Sequence, residues 1–360
     1  MSSCVAGVGR STVTVAVKDQ LGNPIPGAAV TLGASPLSAD SNRFTNPGPS
    51  GTTNASGVFT ADFNSAQALL NKTISAVAGG TTISQTATVA VMPVLVGAGD
   101  IADCAKAGDD STARLLDSIP GTVFADGDNA YPNGRTQDYA NCYDPTWGRH
   151  KARTRPVLGN HEYDNDTLAA PYFAYFGAAA GPSGPSGQEG YYSYDLGTWH
   201  IVVLNSELAT EAGSPQWLWL QTDLAASPQQ CTLAFWHRAL FTSGPSTGAP
   251  WTQSLWGALQ AAGAEIVVNG HDHFYERFAP QDSTGTADPA GIREFIAGTG
   301  GGETHSNFRL PLAPNDEAND SGNFSRGVLK LTLYADSYRW EFISAPGFGS
   351  FTDSGTGTCH

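Results

Sequence analysis

The sequence predicts two domains of different class: an all-β sandwich over residues 1–92, followed by an α/β domain over residues 93–360. Three observations carry this expectation. Short segments that alternate apolar and small polar residues, divided by turn signals, fill the first part. Beyond them, apolar runs end in short polar motifs, with helix-like stretches between. The two regimes meet at "VMPV", where Pro93 cannot donate to a sheet ladder and so marks the break.

In the first part, "STVTVAVKD" alternates as a half-buried strand does. "QLGNPIPG" is a turn-rich break, and "AAVTLGA" is a second strand. "TTNASGVFTADF" reads as a turn followed by another strand. "KTISAVAGGTTISQTATVAV" reads as two strands joined at Gly79 and Gly80. Cys4 is the one His or Cys of this part, and no carboxylates cluster there. No catalytic chemistry is expected of it.

In the second part the expected strands are "PVLVGAGD", "TVFADGD", "RPVLGNHE", "HIVVLNSE", "TLAFWH", "AEIVVNGHDH" and "REFIAGTGGG". The expected helices are "DDSTARLLDSI", "PQWLWLQTDLAAS" and "WTQSLWGALQAAG". Ligands of such folds bind outside the carboxyl ends of the strands, which is where every polar motif falls. "GTGGG" is not followed by Gly-Lys-Ser/Thr, so it is no phosphate-cradling P-loop. Its glycines instead allow backbone to pass close to a site.

The formal net charge of the 360 residues is −15. With no basic patch, binding to a nucleic-acid backbone is excluded. A small anionic substrate then needs a local cationic device, such as bound metal. No stretch reaches the ~20 apolar residues of a membrane span. The five cysteines form no CxxC pair, so a zinc-finger reading fails. We expect Cys104 to pair with Cys142 and Cys231 with Cys359, in keeping with a secreted or cell-surface protein. "MSSCVAG" has no apolar h-region, so an export signal is absent from these residues. Cys4 is a candidate remnant of a lipid anchor site.

The strand ends supply Asp100, then Asp128 with Tyr131, then Asn160 with His161 and Glu162, then His237 with Arg238, then His271 with His273. A lone Asp after Gly is usually a turn, and a lone His is usually structural. Five such ends in one domain point to a shared centre. Oxygen and imidazole donors suit hydrolytic metals. Two ions about 3.5–4 Å apart need a bridging ligand, and the carboxylate of Asp128 is the natural one.

The series "GD…GDNAY…GNHE…FWH…GHDH" resembles the calcineurin-like metallophosphoesterases, and within them the purple acid phosphatase type. The likeness runs over residues 93–360 and implies a four-layer α/β/β/α sandwich. Many such enzymes open with Asp-x-His, but here the triplet is Asp100, Ile101 and Ala102. The purple type instead carries a tyrosine three residues after the bridging Asp, which here is Tyr131. Its first motif usually has Gly where Asp103 stands, so this copy diverges there.

The resemblance implies that metal one takes Asp100, Asp128, Tyr131 and His273. Metal two takes Asp128, Asn160, His237 and His271. The cofactors implied are two metal ions, Fe(III) beside Tyr131 and a divalent Fe, Zn or Mn. Two carboxylates and a phenolate supply three negative charges toward that pair, because an adjacent cation lowers a phenol pKa strongly. A colour from phenolate and iron(III) is expected with that pair.

The implied function is hydrolysis of phosphate monoesters by attack of a metal-bound hydroxide. Alternatives are a phosphodiesterase or nucleotidase on the same site, and a cell-surface binding protein with no catalysis. His161 is the expected proton donor or phosphate clamp, the alternative being that it only orients Asn160. Arg238 suits two phosphate oxygens but equally an ion pair. His305 is a candidate rim residue. Asn160 also faces the substrate. Glu162 is expected to pair with a ligand imidazole. His150 and His200 look structural, and Asp272 should face away from the metals.

The first part resembles the bacterial Ig-like domains of invasin-type surface proteins through "VTVAVKDQLGNPIPGAAVTL" and "GTTNASGVFTADF". That likeness implies a spacer or surface-contact module.

Overall fold

The computed structural model describes residues 2–5, 11–35, 42–65, 72–82, 87–181, 187, 189–302 and 308–360. It divides into two compact units, Met1–Val94 with Ile119–Gly121, and Leu95–Ser118 with Thr122–His360.

The first unit is built of strands β1 (Ser2–Val5), β2 (Ser11–Ala16), β3 (Ala29–Ser35), β4 (Asn42–Thr45), β5 (Ser50–Thr52), β6 (Val58–Ser65), β7 (Lys72–Ala78), β8 (Thr81–Thr82) and β9 (Ala87–Met92). One sheet runs β1-β9-β7-β3-β5 with β8 beside β7, and the other runs β2-β6-β4. The alternation read from the sequence is the burial pattern. Val13 and Val15 of β2, Phe59, Ala61 and Phe63 of β6, Val30 and Leu32 of β3, and Ile74 and Ala76 of β7 share one core. Residues two apart on a strand face the same side, so each sheet turns one apolar face inward. Gly79 and Gly80, both with positive φ, make the turn from β7 to β8.

The second unit holds two larger sheets. Its strands are β10 (Val94–Ala98), β11 (Thr122–Asp126), β12 (Thr154–Val157), β13 (Tyr192–Leu196), β14 (Trp199–Val203), β15 (Cys231–Arg238), β16 (Ile266–Gly270), β17 (Tyr275–Phe278), β18 (Arg293–Ala297), β19 (Asp316–Asn319), β20 (Gly327–Leu333), β21 (Ser337–Ser344) and β22 (Thr352–Thr358). The six-stranded sheet has the order β12-β11-β10-β20-β21-β22. The seven-stranded sheet has the order β13-β14-β15-β16-β18-β17-β19. Strands β10, β11 and β12 are parallel, as are β14, β15, β16 and β18. These parallel strands read as apolar runs because both their faces are covered.

The core lies between the two sheets. Leu95, Phe124, Leu329 and Leu331 from one meet Ile201, Leu233, Phe235, Val268 and Phe295 from the other. On the outer face of the seven-stranded sheet, Val202, Ala234, Trp236 and Val267 pack with Leu220, Leu255, Trp256 and Leu259. The last four come from helices Pro215–Ala226 and Gln253–Ala261. The first of these helices starts where expected, with Ser214 Oγ accepting from Trp217 N at 3.3 Å and Pro215 just inside. Helix Gly108–Ser118 lies against the six-stranded sheet through β20. The order is therefore helix, sheet, sheet, helix.

Both expected disulfides are present, Cys104–Cys142 and Cys231–Cys359. No helix among the described residues is long and apolar enough to cross a membrane.

Candidate metal centre

The parallel strands of both sheets deliver their polar ends to one place. Asp100 follows β10, Asp128 follows β11 and Asn160 follows β12. His237 and Arg238 end β15, and His271 follows β16. The pairing of β15 with β16 shifts between Phe235 and Arg238. Such irregularities re-aim side chains next to sites, and His237 lies within this one.

Left-handed backbone marks the same ends. Asp100 has φ 60°, Asp128 φ 47° and His271 φ 69°. They are three of the eight non-glycine residues with positive φ among those described. That conformation costs a non-glycine residue roughly 1–3 kcal/mol and gathers at functional sites. Close approach explains two glycines. A Cβ on Gly127 would run into the His237 ring, and one on Gly159 into the Asp128 carboxylate.

The donors fall into two groups. On one side, the Tyr131 hydroxyl lies 2.9 Å from Asp100 Oδ1 and 3.0 Å from His273 Nε2. His273 Nε2 is 3.1 Å from Asp100 Oδ1. On the other side, His237 Nε2 is 3.1 Å from Asp128 Oδ2, and ligand atoms of Asp128, His237 and His271 lie within 4.8 Å of one another. Asp128 Oδ2 also stands 3.3 Å from the Tyr131 hydroxyl, so Asp128 touches both groups.

These residues fit a pair of ions. Ligands held at about 2.1 Å in octahedral geometry stand about 3 Å from one another, which is the spacing seen. Beside them the buried Asn160 Oδ1 makes no hydrogen bond among the described residues, which leaves its lone pairs available.

The cluster's electrostatics agree with a place for cations. Burial opposes ionisation of Asp128, yet His237 and His161 hold its carboxyl below the usual range. Burial likewise opposes ionisation of Asp100, and His273 outweighs it. Burial works against a charged His237, but Asp128 and Asp100 push its pKa well up. Burial, then Asp100 and Asp128, push the Tyr131 phenol well above 10.0. A nearby cation reverses the sign of that last effect. Asp126 differs. It lies two residues before Asp128, at the end of β11, and burial pushes its carboxyl well up.

His161 sits beside the donors. Its Nδ1 faces two acceptors, Pro132 O at 2.6 Å and Asp164 Oδ2 at 2.9 Å. Its Nε2 points toward Asp128 Oδ2 at 3.8 Å. Its side chain is 31% exposed, so water reaches it. Arg238 holds Glu207 Oε1 through Nε at 2.9 Å and lies 2.8 Å from His271 Nε2 through Nη1. His305 falls outside the described residues. Asp272 faces away, its Oδ2 accepting from Thr242 Oγ1 and Ser246 Oγ, each at 2.6 Å.

Glu162 corrects the expectation that it pairs with an imidazole. Its Oε2 accepts from Gly159 N at 2.7 Å and Asp128 N at 3.0 Å, and its Oε1 from Asn129 N at 2.8 Å. Tyr139 donates to Oε1 at 3.1 Å. Glu162 thus ties the loop after β11 to the loop after β12. Burial, then Asp128, push its carboxyl up to about 7. His150 and His200 have partners outside this cluster. His150 Nε2 bonds Ala113 O at 3.1 Å, and His200 lies between Asp195 and Asp223 at 3.0 and 2.8 Å.

Comparison with known proteins defines the class. The calcineurin-like phosphoesterase family matches residues 94–275, just over half of the chain. The chain belongs to that family. It is 29% identical over 243 residues to purple acid phosphatase 21 of Arabidopsis thaliana, covering 62% of this chain and 54% of that protein. It is 29% identical over 134 residues to an acid phosphatase of Aspergillus ficuum, covering 35% of this chain and 22% of that protein. The chain spans about half the length of the first of these relatives. Among solved structures, purple acid phosphatase PPD1 from yellow lupin (Lupinus luteus) seeds superposes with a TM-score of 0.63 at 17% identity. That match covers 97% of this chain and 72% of the lupin protein. GAP50, the anchor in the inner membrane complex of Plasmodium, superposes at 0.56 with 12% identity over 74% of this chain and 88% of its own. At these identities the structural likenesses show the fold alone.

Proposed function

We propose that this chain is a dinuclear-metal phosphatase that hydrolyses phosphate monoesters. One observation carries the reading: strand ends from two sheets bring Asp100, Asp128, Tyr131, His237, His271 and His273 into contact, with Asp128 touching both halves. Asp100, Tyr131 and His273 would hold one ion and Asn160, His237 and His271 the other, with Asp128 available to both. The Tyr131 phenol would favour Fe(III) on its side, with a divalent Fe, Zn or Mn as neighbour. Two such ions would supply charge to hold phosphate oxygens, to acidify water and to stabilise the transition state.

The protein supplies the remaining steps. Asn160 would serve the substrate as well as the second ion. His161 gives the proton to the leaving oxygen. Both partners of its Nδ1 are acceptors, so Nδ1 keeps its hydrogen and Nε2 is the nitrogen that can transfer one. Asp164 and Pro132 fix the ring for that task. The first unit, with two sheets and its own core, is a spacer or surface-contact module of Ig-like type. Two disulfides support a secreted or cell-surface setting.

A leaving-group series tests this. The purified protein should hydrolyse aryl monophosphates faster than bis-aryl phosphates. His161→Ala should cut kcat about 10²-fold or more with alkyl phosphates, and much less with activated aryl phosphates. Equal losses on both would remove the proton-donor role. Preference for the diester would reassign the chain to phosphodiesterase chemistry.

A further inference from the structure

Arg238 stands closer to a candidate ligand than a residue waiting for phosphate need be. Its Nη1 is 2.8 Å from His271 Nε2. A guanidinium is always protonated and has donors only. His271 Nε2 must therefore be the acceptor, and its lone pair is taken. In that tautomer Nδ1 carries the ring's hydrogen. Neither nitrogen of His271 can hold a cation until Arg238 lets go.

Arg238 also has somewhere to withdraw to. Its Nε already donates to Glu207 Oε1 at 2.9 Å. Glu207 is itself fixed, with Ser206 Oγ on Oε1 at 3.0 Å and its backbone N on Asn205 Oδ1 at 3.0 Å. The Arg238 backbone N donates to Ser206 Oγ at 3.2 Å. The Arg238 and Glu207 side chains are 23% and 17% exposed, so the guanidinium has room to turn. The other half of the centre is built differently: His273 Nε2 faces Tyr131 and Asp100.

We propose that Arg238 and the second metal ion compete for His271, so that Arg238 sets the affinity of that ion and Glu207 receives Arg238 when the ion binds. The inference rests on the dinuclear reading above. On release, the Arg238 donors that leave His271 become available to an anion arriving at the same ion.

Zinc binding to the full-length, metal-stripped protein tests the proposal, followed by titration calorimetry with no substrate present. Loss of a hydrogen bond to a charged group corresponds to roughly a factor of ten or more in affinity. Arg238→Gln and Arg238→Met should therefore bind the second zinc about tenfold more tightly, with the first unchanged. Glu207→Gln should bind the second zinc more weakly. The gain in the Arg238 variants should persist in high salt, since contact, unlike a long-range field, is not screened. Unchanged or weaker binding of the second zinc in both Arg238 variants overturns the proposal, as does a gain that salt abolishes. A wild-type chain that takes up only one zinc would overturn the dinuclear reading itself.

Discussion

His271 and His273 stand one residue apart and serve different halves of the centre. His273 Nε2 meets Asp100 and Tyr131, while His271 groups with Asp128 and His237. Asp272 between them turns to the hydroxyls of Thr242 and Ser246. His271→Asn and His273→Asn should each lower bound metal by about one ion per chain, measured by elemental analysis after dialysis. Asp272→Asn keeps an oxygen for the two hydroxyls and should retain both ions. That Asp272 turns away was expected from an extended reading of "GHDH", but the segment is a bend between β16 and β17 with His271 at φ 69°, so the bend and not strand alternation aims it. The role of Glu162 was only half legible. Its position after Asn160 placed it near the site. Two of its partners are backbone N–H groups of a loop 33 and 34 residues away, and side-chain identities carry no trace of those.

At the scale of elements, the parallel strands announced themselves as apolar runs with polar ends, and those ends became the site. Strands β20, β21 and β22 were not anticipated. The first two carry a readable signal, with Leu329, Leu331 and Leu333 inward on β20 and Tyr338, Trp340 and Phe342 inward on β21. Strand β22, "TDSGTGT", carries none, since it has no apolar side chain. Its glycines are instead shaped by its neighbour: a Cβ on Gly355 would strike Trp340, and one on Gly357 would strike Tyr338.

The start of β16 gives a pH prediction. Glu265 Oε2 accepts from Thr232 N at 2.7 Å, and burial pushes this carboxyl up from 4.5 to about 7. The native state then binds a proton that the unfolded chain has released between those two values. This contribution to stability is greatest below pH 4.5 and is lost as pH rises to about 7. Glu265→Gln should flatten the fall in urea midpoint over that window. An unchanged slope would show that Glu265 titrates normally.

Across the whole molecule, charge and covalent links set the conditions under which the site works. A net charge of −15 repels polyanions, so a small phosphate ester suits the chain better than a nucleic acid does. The Cys231–Cys359 bridge joins the start of β15 to the last residues and spans 128 positions. Closing so long a loop removes roughly 5 kcal/mol of unfolded-chain entropy in the loop-closure account. The double variant Cys231→Ala, Cys359→Ala should lose stability of that order in equilibrium urea unfolding, with metal content unchanged. A loss below 1 kcal/mol, about the lower end of the known range, would place the bridge outside the cooperative unit. Both pairings were expected from the sequence; one ties the loop after β10 to the helical turn Tyr139–Tyr143, and the other ties the expected strand β15 to the residue after the unexpected β22.

The left-handed backbone at Asp100, Asp128 and His271 sets ease of folding against the placement of candidate metal donors. Glycine adopts that backbone without steric cost. Glycine at either aspartate would also remove the acceptor of a backbone N–H, His161 N on Asp128 Oδ1 at 2.9 Å or His271 N on Asp100 Oδ2 at 2.8 Å, so easing the turn costs a buried hydrogen bond. Erosion of the three side chains in a related chain would be an early sign that its lineage had kept the scaffold and no longer needed the donor set.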